Sequence, residues 1–122
     1  MVSKKNEETP PGQSAATPPE VTVQEVEELL RGGSSFRLID VREDSEREIA
    51  SIEGSEHLSQ EAAMELFEKG DREARYIFMC HHGIRSLAAA EAFAAKGFKN
   101  VGSMRGGIQA WSESIDPKIP TY

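Results

Sequence analysis

The stretch ARYIFMCHHGIRSLAAAEAFAAKG, residues 74–97, decides the fold predicted for this chain. Its first part, ARYIFMC, is rich in aromatic and branched side chains and predicts a strand that ends at Cys80. The alanine-rich second part predicts a helix that begins near Ser86 and ends at Gly97. A strand joined to a helix by a short loop is the first half of a crossover unit, and crossover units indicate a parallel sheet.

The same alternation of strands and helices continues on both sides of this stretch. Short apolar runs predict three more strands: FRLIDV (36–41), SEHL (55–58) and NVGSM (100–104). Periodic apolar residues predict three more helices: VTVQEVEELLRGG (21–33), SQEAAMELFEKG (59–70) and GGIQAWSES (106–114). The polar segment 42–55 is predicted to be irregular, with room for one helical turn. The chain is therefore predicted to be an α/β protein, with helices on both faces of a mostly parallel central sheet.

Two of the helices carry start signals in their sequence. Thr22 followed by Glu25 matches a capping box, in which each side chain accepts a hydrogen bond from the backbone of the other. Ser59 is the predicted cap of the helix over residues 59–70, with Met64 and Phe67 on its apolar side. These signals place the helix boundaries, and the apolar sides indicate which faces cover the sheet.

The composition excludes several classes of protein. A single cysteine cannot form an internal disulfide or a paired-cysteine zinc site, and a lone thiol favours a reducing compartment, so we expect a cytoplasmic protein. The formal net charge of −7 argues against binding to nucleic acid or to a membrane surface. The sequence has no apolar run long enough to span a membrane and no secretory signal.

The first 20 residues differ in composition from the rest of the chain. They contain four of the six prolines and almost no apolar side chains, which predicts a disordered tail over residues 1–20. Residues 21–122 are then predicted to form one domain, large enough to bury a core. We expect this acidic single domain to be a monomer.

The loop after the central strand combines features that activate a thiol. Cys80 lies where the carboxyl end of a strand meets the N-terminus of a helix, which is where α/β sheets bind ligands. Gly83 permits a positive φ, so that successive backbone N–H groups can point at one atom. The helix N-terminus adds positive charge, and so does Arg85 if its side chain folds back toward the loop. Together these features predict a reactive thiolate with a pKa below the ordinary value of about 8.5.

Two simpler interpretations of these residues remain open at this point. Cys80 can be core packing, because free cysteines are among the most buried residues, although packing does not require the glycine and arginine that follow it. His81 and His82 can be part of a metal site only with a third ligand, and His57 is the one histidine left. We expect no metal, and interpret both histidines as polar residues that line the loop.

Three motifs, in this order, resemble those of the rhodanese family of sulfurtransferases. CHHGIRS (80–86) is similar to the family's C-x-x-G-x-R/S-type loop, in which a cysteine precedes a helix. LIDVRE (38–43) with EIASIEGSEHL (48–58), and GFKNVGSMRGGIQAW (97–111), are similar to the segments on either side. Two positions depart from the family pattern: Arg47 replaces a common aromatic residue, and Ala50-Ser51-Ile52 replaces a GHI-like triplet.

The resemblance implies a three-layer fold with roughly five strands, and a cysteine that carries sulfane sulfur as a persulfide. Cys80 would take sulfur from a small anionic donor such as thiosulfate and pass it to cyanide, a thiol or a partner protein. Arg85 would bind an oxygen of the donor. No cofactor is implied. The residues expected to form the substrate-binding loop are His81, His82, Gly83, Ile84, Arg85 and Ser86.

Residues outside the loop have expected supporting roles. Asp40 and Arg42 are expected to form an ion pair that is structural or lies at the pocket edge. Gly106 and Gly107 are expected to allow a tight turn into the last helix, where Trp111 packs in the core. The closing segment IDPKIPTY (115–122) resembles rhodanese domains at the end of adenylyltransferase-type sulfur-relay proteins, which hints at a partner protein.

Two other functions share this fold. A phosphatase or arsenate reductase would also use a thiolate and an arginine, but would have one residue more between them than the four found here, His81 to Ile84. A non-enzymatic regulatory module, or a relay module active only within a complex, is the other alternative. The presence of Cys80 favours the sulfurtransferase over the inactive module, but it does not distinguish a free enzyme from a relay.

Overall fold

A fully parallel sheet lies at the centre of residues 18–122, the part of the chain that the computed structural model describes. The described part has five strands: β1 (Glu20–Val21), β2 (Arg37–Asp40), β3 (Ser55–His57), β4 (Arg75–Met79) and β5 (Asn100–Met104). Their order in the sheet is β1-β5-β4-β2-β3, and each neighbouring pair is parallel. The predicted α/β class and parallel sheet are confirmed.

Helices cover both faces of this sheet. Along the described residues they are α1 (Val23–Arg31), α2 (Asp44–Ile49), α3 (Gln60–Lys69), α4 (Ile84–Ala95) and α5 (Gly107–Ser114). Side chains of α1 and α5 belong to one core cluster, and side chains of α3 and α4 belong to the other. No helix among residues 18–122 is both long enough and apolar enough to cross a lipid bilayer.

Strand β4 explains how one apolar run serves two cores. Successive side chains of a strand point to opposite faces, so Tyr76 and Phe78 join the core cluster under α3 and α4. Ile77 and Met79 join the other cluster, which contains Trp111 of α5. These four of the five β4 residues are at most 1% exposed, as expected for a central parallel strand. The predicted core position of Trp111 is confirmed by its 6% exposure.

The predicted helix caps form as hydrogen-bonded pairs. The N–H of Glu25 donates to the Thr22 hydroxyl at 3.1 Å, and the Thr22 N–H donates to the Glu25 carboxylate at 2.8 Å. The N–H of Ala62 donates to the Ser59 hydroxyl at 3.0 Å. Each such cap contributes about 1 kcal/mol to the stability of its helix, and the two caps fix where α1 and α3 begin.

The structure differs from the sequence prediction in three places. Met64 is 58% exposed, so its assignment to the apolar side of α3 is wrong, and Leu66 provides the buried contact instead. Segment 42–55 contains the six-residue helix α2. Glu20, assigned to the tail, pairs in β1 with Ser103 of β5. The predicted disorder of residues 1–17 lies outside the described residues.

Candidate active site

Cys80 lies at the carboxyl end of the central strand. β4 has β5 on one side and β2 on the other, and Cys80 follows it immediately with 1% exposure. The next helix begins at Ile84, and its N-cap Gly83 has a φ of 104°. A Cβ at Gly83 would lie 3.2 Å from the backbone nitrogen of Gly106, so conformation and space both favour glycine. The positive φ predicted for Gly83 is confirmed.

Backbone N–H groups of this loop point at the sulfur. The N–H of Gly83 donates to Sγ at 3.1 Å, the N–H of Ser86 donates at 3.3 Å, and the Ser86 hydroxyl lies 3.5 Å away. Burial by itself would raise the pKa of the Cys80 thiol. The Ser86 hydroxyl and the N–H groups of Ser86, Gly83 and His82 outweigh burial and hold that pKa below its ordinary value. The loop therefore favours the thiolate.

A second serine supports the first from the neighbouring strand. Ser103 of β5 has its hydroxyl 2.8 Å from the Ser86 hydroxyl, and both side chains are at most 1% exposed. Ser86 has a single O–H, so it donates to the sulfur when Ser103 donates to Ser86. Nothing local in the sequence marks Ser103, because its role depends on the pairing of β5 with β4.

The start of α5 packs directly against the loop backbone. The N–H of Ile108 donates to the carbonyl of Cys80 at 2.8 Å, and the N–H of Gln109 donates to the carbonyl of His81 at 3.1 Å. A Cβ on Gly107 would overlap both carbonyl oxygens, and the φ of Gly107 is 63°. The tight turn predicted for Gly106 and Gly107 is confirmed by their positive φ values. The close approach of Gly107 to the loop, which leaves no room for a Cβ, is a second reason for glycine at this position.

Arg85 binds a carboxylate. Its Nη1 lies 2.8 Å from Oε1 of Glu46 and its Nη2 lies 2.9 Å from Oε2, which is a two-pronged ion pair. The Glu46 carboxylate holds the pKa of Arg85 above its ordinary value, and Arg85 holds the pKa of Glu46 well below its usual range. Among the described residues, the N–H groups of Gly83 and Ser86 make the short hydrogen bonds to Sγ, and the Arg85 side chain donates none to it.

Tyr122 contacts this ion pair and the loop together. Its hydroxyl donates to Oε2 of Glu46 at 2.9 Å and accepts from Nη1 of Arg42 at 2.8 Å. Its ring stacks on His81 with the centroids 3.9 Å apart, and His81 stacks in turn on His82 at 3.9 Å. Burial, followed by the electrostatic interaction with His82, lowers the pKa of His81.

Asp40 and Arg42 form a buried ion pair. Nη2 of Arg42 lies 2.8 Å from Oδ2 of Asp40, and both side chains are fully buried. Arg47 adds a second cation to Asp40 at 2.7 Å, and the carbonyl of Ala50 accepts from Arg42 at 2.7 Å. Two positions that depart from the family pattern thus join the same network, which reaches the loop through Tyr122 and Glu46.

The remaining loop residues line a shallow pocket over the sulfur. It has a volume of about 270 Å³ and is lined by Cys80, His81, His82, Ile84 and Arg85. The Ile84 side chain is 81% exposed at its rim. His57 is occupied elsewhere: its Nε2 is 3.0 Å from the carbonyl of Arg42 and its Nδ1 is 3.2 Å from Asp44. The space beside Cys80 is therefore bounded by two histidines, Arg85 and an apolar side chain.

Comparison with known proteins identifies the family. Residues 22–114 match the family model described as Rhodanese-like domain. The chain belongs to this family. It is 30% identical over 103 residues to the thiosulfate sulfurtransferase GlpE of Haemophilus influenzae, a match that covers 84% of this chain and 96% of that protein. Relatives of this name support a sulfurtransferase function for this rhodanese-like chain.

Longer proteins and solved structures also contain this rhodanese-like domain. The chain is 40% identical over 90 residues to the rhodanese-like/PpiC domain-containing protein 12 of Arabidopsis thaliana. That match covers 70% of this chain and spans only 30% of the plant protein. The solved structure of the human single-domain sulfurtransferase TSTD1 matches with a TM-score of 0.67 and 25% identity, over 79% of this chain and 96% of that one. The rhodanese-like fold is therefore found both alone and within larger proteins.

Proposed function

We propose that this protein is a sulfurtransferase in which Cys80 carries sulfane sulfur as a persulfide. The observation that carries the proposal is the surroundings of Sγ: the backbone N–H groups of Gly83 and Ser86 donate to it at 3.1 and 3.3 Å, and the Ser86 hydroxyl lies 3.5 Å away. These groups favour a negative sulfur both before and after loading. A cysteine that only filled space in the core would not need them.

The transfer takes place in two displacements at sulfur. The Cys80 thiolate attacks the outer sulfur of a donor such as thiosulfate, so that a new S–S bond forms, the S–S bond of thiosulfate breaks, and sulfite leaves with the electron pair. A thiophilic acceptor such as cyanide or a thiolate then attacks the terminal sulfur of the persulfide. The Cys–S–S bond breaks and the Cys80 thiolate returns. The N–H groups stabilise the thiolate as nucleophile in the first step and as leaving group in the second.

Two alternatives use the same fold, and the phosphatase or arsenate reductase is the weaker of them. A phosphate or arsenate group is larger than a sulfur atom, and the loop has four residues between Cys80 and Arg85. The cation that would hold a phosphate is bound to Glu46. A relay module that transfers sulfur only with a partner protein uses the same persulfide at Cys80, and differs only in the identity of the donor and the acceptor.

Intact-mass measurement tests this function. Wild type and Cys80→Ser are incubated with thiosulfate and, separately, with cysteine persulfide, and the mass is recorded before and after addition of cyanide. We expect wild type to gain one sulfur atom that cyanide removes, while Cys80→Ser, which contains no thiol, gains none. No adduct on folded wild type with either donor would overturn the proposal. Hydrolysis of p-nitrophenyl phosphate that depends on Cys80 would favour the phosphatase instead.

A further inference from the structure

Among the described residues, the one arginine that lines the pocket over Cys80 is already paired with a carboxylate. Among the described residues, the pocket lining contains one arginine, Arg85, and two histidines, of which His81 has a lowered pKa. Both terminal nitrogens of Arg85 bind both oxygens of Glu46. A two-pronged pair of this kind uses the donor geometry that would otherwise hold a sulfonate.

Glu46 is itself held in place by two other groups. The N–H of Glu43 donates to its Oε1 at 3.0 Å, and the Tyr122 hydroxyl donates to its Oε2 at 2.9 Å. Tyr122 is fixed in turn by the Arg42 guanidinium at 2.8 Å and by stacking on His81. For Arg85 to be released, a carboxylate with several other partners would have to move, and this carboxylate is only 18% exposed.

Thiosulfate and a persulfide make different demands on such a site. Thiosulfate carries its charge on a sulfonate-like group that needs a cation, and it approaches a protein of net charge −7. A persulfide presents its outer sulfur, which needs only the N–H groups around Cys80. We propose that Glu46 and Tyr122 set the donor specificity of Cys80, by withholding Arg85 from sulfonate donors and leaving a site that takes sulfur from a thiol persulfide.

This inference rests on the proposed function, and its chemistry balances in the same way. The Cys80 thiolate attacks the outer sulfur of R–S–SH, the S–S bond of the donor breaks, and the R–S group leaves. The proton of the donor ends on the departing thiol, and Cys80 keeps the persulfide anion. Neither an oxidant nor a reductant is needed. Glu46 and Tyr122 act through Arg85 and are therefore positioning residues.

The test compares the loading rates of Cys80 with two donors. Intact mass after rapid quenching gives the second-order rate constant for thiosulfate and for cysteine persulfide, in wild type, Glu46→Gln, Tyr122→Phe and Glu48→Gln. The last variant removes the same charge from the same helix at an exposed position. We expect Glu46→Gln to increase the thiosulfate rate constant about tenfold, equivalent to one freed charge-assisted contact, and to change the persulfide rate less than about twofold. Tyr122→Phe should also increase the thiosulfate rate constant, but by less than Glu46→Gln does. Glu48→Gln should load with both donors at the wild-type rates.

The two donors separate the possible failures. If cysteine persulfide loads every variant at the wild-type rate and Glu46→Gln leaves the thiosulfate rate unchanged or lower, the specificity proposal is overturned and the persulfide function stands. An equal gain in Glu48→Gln would also overturn it, because general charge would then explain the effect. If neither donor loads any variant, both this proposal and the proposed function fail.

Discussion

The N–H of Ile108 donates to the carbonyl oxygen of Cys80 at 2.8 Å, and this bond joins the first turn of α5 to the loop that holds the sulfur. The contact is possible because Gly107 brings the two backbones together without a side chain between them. The position of the thiolate therefore depends on a helix that follows it by more than a full strand and helix in sequence. Substitution at Gly107 tests this dependence.

Replacement of Gly107 by alanine should lower the free energy of unfolding and displace the loop that positions the Cys80 thiolate. Alanine at a positive φ costs about 1–2 kcal/mol by itself, and at Gly107 the Cβ would also overlap the carbonyls of Cys80 and His81. Gly33→Ala is the matched control, since its φ is 71° and nothing lies within 4 Å of its Cβ. Urea unfolding should show a larger loss for Gly107→Ala than for Gly33→Ala. Equal losses would contradict the role of close approach.

Ser86→Ala should raise the pKa of Cys80. The Ser86 hydroxyl helps to hold that pKa below its ordinary value, so its loss should move the midpoint of iodoacetamide alkylation up by about one pH unit, as expected for one hydrogen bond to a charged group. At a pH below the midpoint, alkylation should then be slower than in wild type. Ser112→Ala is the control, because Ser112 is also buried but donates to the carbonyl of Ile119. An unchanged alkylation midpoint in Ser86→Ala would show that the backbone N–H groups alone are enough to lower the pKa of Cys80.

Ser103→Ala should raise the same midpoint by a smaller amount, because Ser103 acts by orienting the Ser86 hydroxyl at 2.8 Å. The double variant provides the sharper test. If Ser103 acts through Ser86, adding Ser103→Ala to Ser86→Ala should not move the alkylation midpoint further. Additive shifts would mean that Ser103 affects the sulfur by another route.

Asp40→Asn should be strongly destabilising. Arg42 and Asp40 are fully buried, and removal of one charge from a buried pair leaves the other uncompensated, at a cost of about 3–5 kcal/mol. The exposed pair of Arg37 with Glu56 provides the comparison, since both side chains are 47% exposed. Glu56→Gln should cost less than about 1 kcal/mol. Chemical denaturation of both variants at pH 7 measures the difference, and similar losses would show that Asp40 is not essential to the core.

The contribution of Glu46 to stability should depend on pH. Hydrogen bonding to Arg85 holds the pKa of Glu46 well below the ordinary value of 4.5. A lowered carboxyl pKa stabilises the folded state above the unfolded-state pKa, and this contribution is lost as the pH falls toward the folded-state value. Wild type should therefore exceed Glu46→Gln in unfolding free energy at pH 7, and the gap should narrow as the pH falls below about 4.5. A gap that is constant from pH 7 to pH 3 would contradict the ion pair as its source.

Local signals in the sequence predicted the local parts of the structure. The caps at Thr22 and Ser59 depend on residues three positions away, and the left-handed turn at Gly83 depends on glycine itself. The central strand was predictable because both of its faces are buried. The caps and the turn depend on residues that are close in sequence. The strand was predictable because the whole segment is apolar.

Contacts between distant segments were not predictable in this way. Arg85 and Glu46 are 39 positions apart, and Arg42 and Tyr122 are 80 positions apart. The loop by itself predicts that Arg85 serves the sulfur, because the sequence does not show that α2 places a carboxylate beside it. Met64 was assigned to the buried side of α3 on its apolar character alone. In the structure Leu66 is the buried residue of α3, and Met64 lies on the exposed side.

The groups that surround Cys80 and its loop include residues that follow it in the chain, and this sets an order of events during synthesis. When Cys80 is added to the nascent chain, Ser103, Ile108 and Tyr122 have not yet been synthesised. The sulfur is at that stage an ordinary thiol, with neither the second serine behind Ser86 nor the helix that fixes its carbonyl. Full activation of the cysteine is therefore delayed until the last strand and helix have docked, and a chain released before residue 103 carries the nucleophile without the groups that complete its setting.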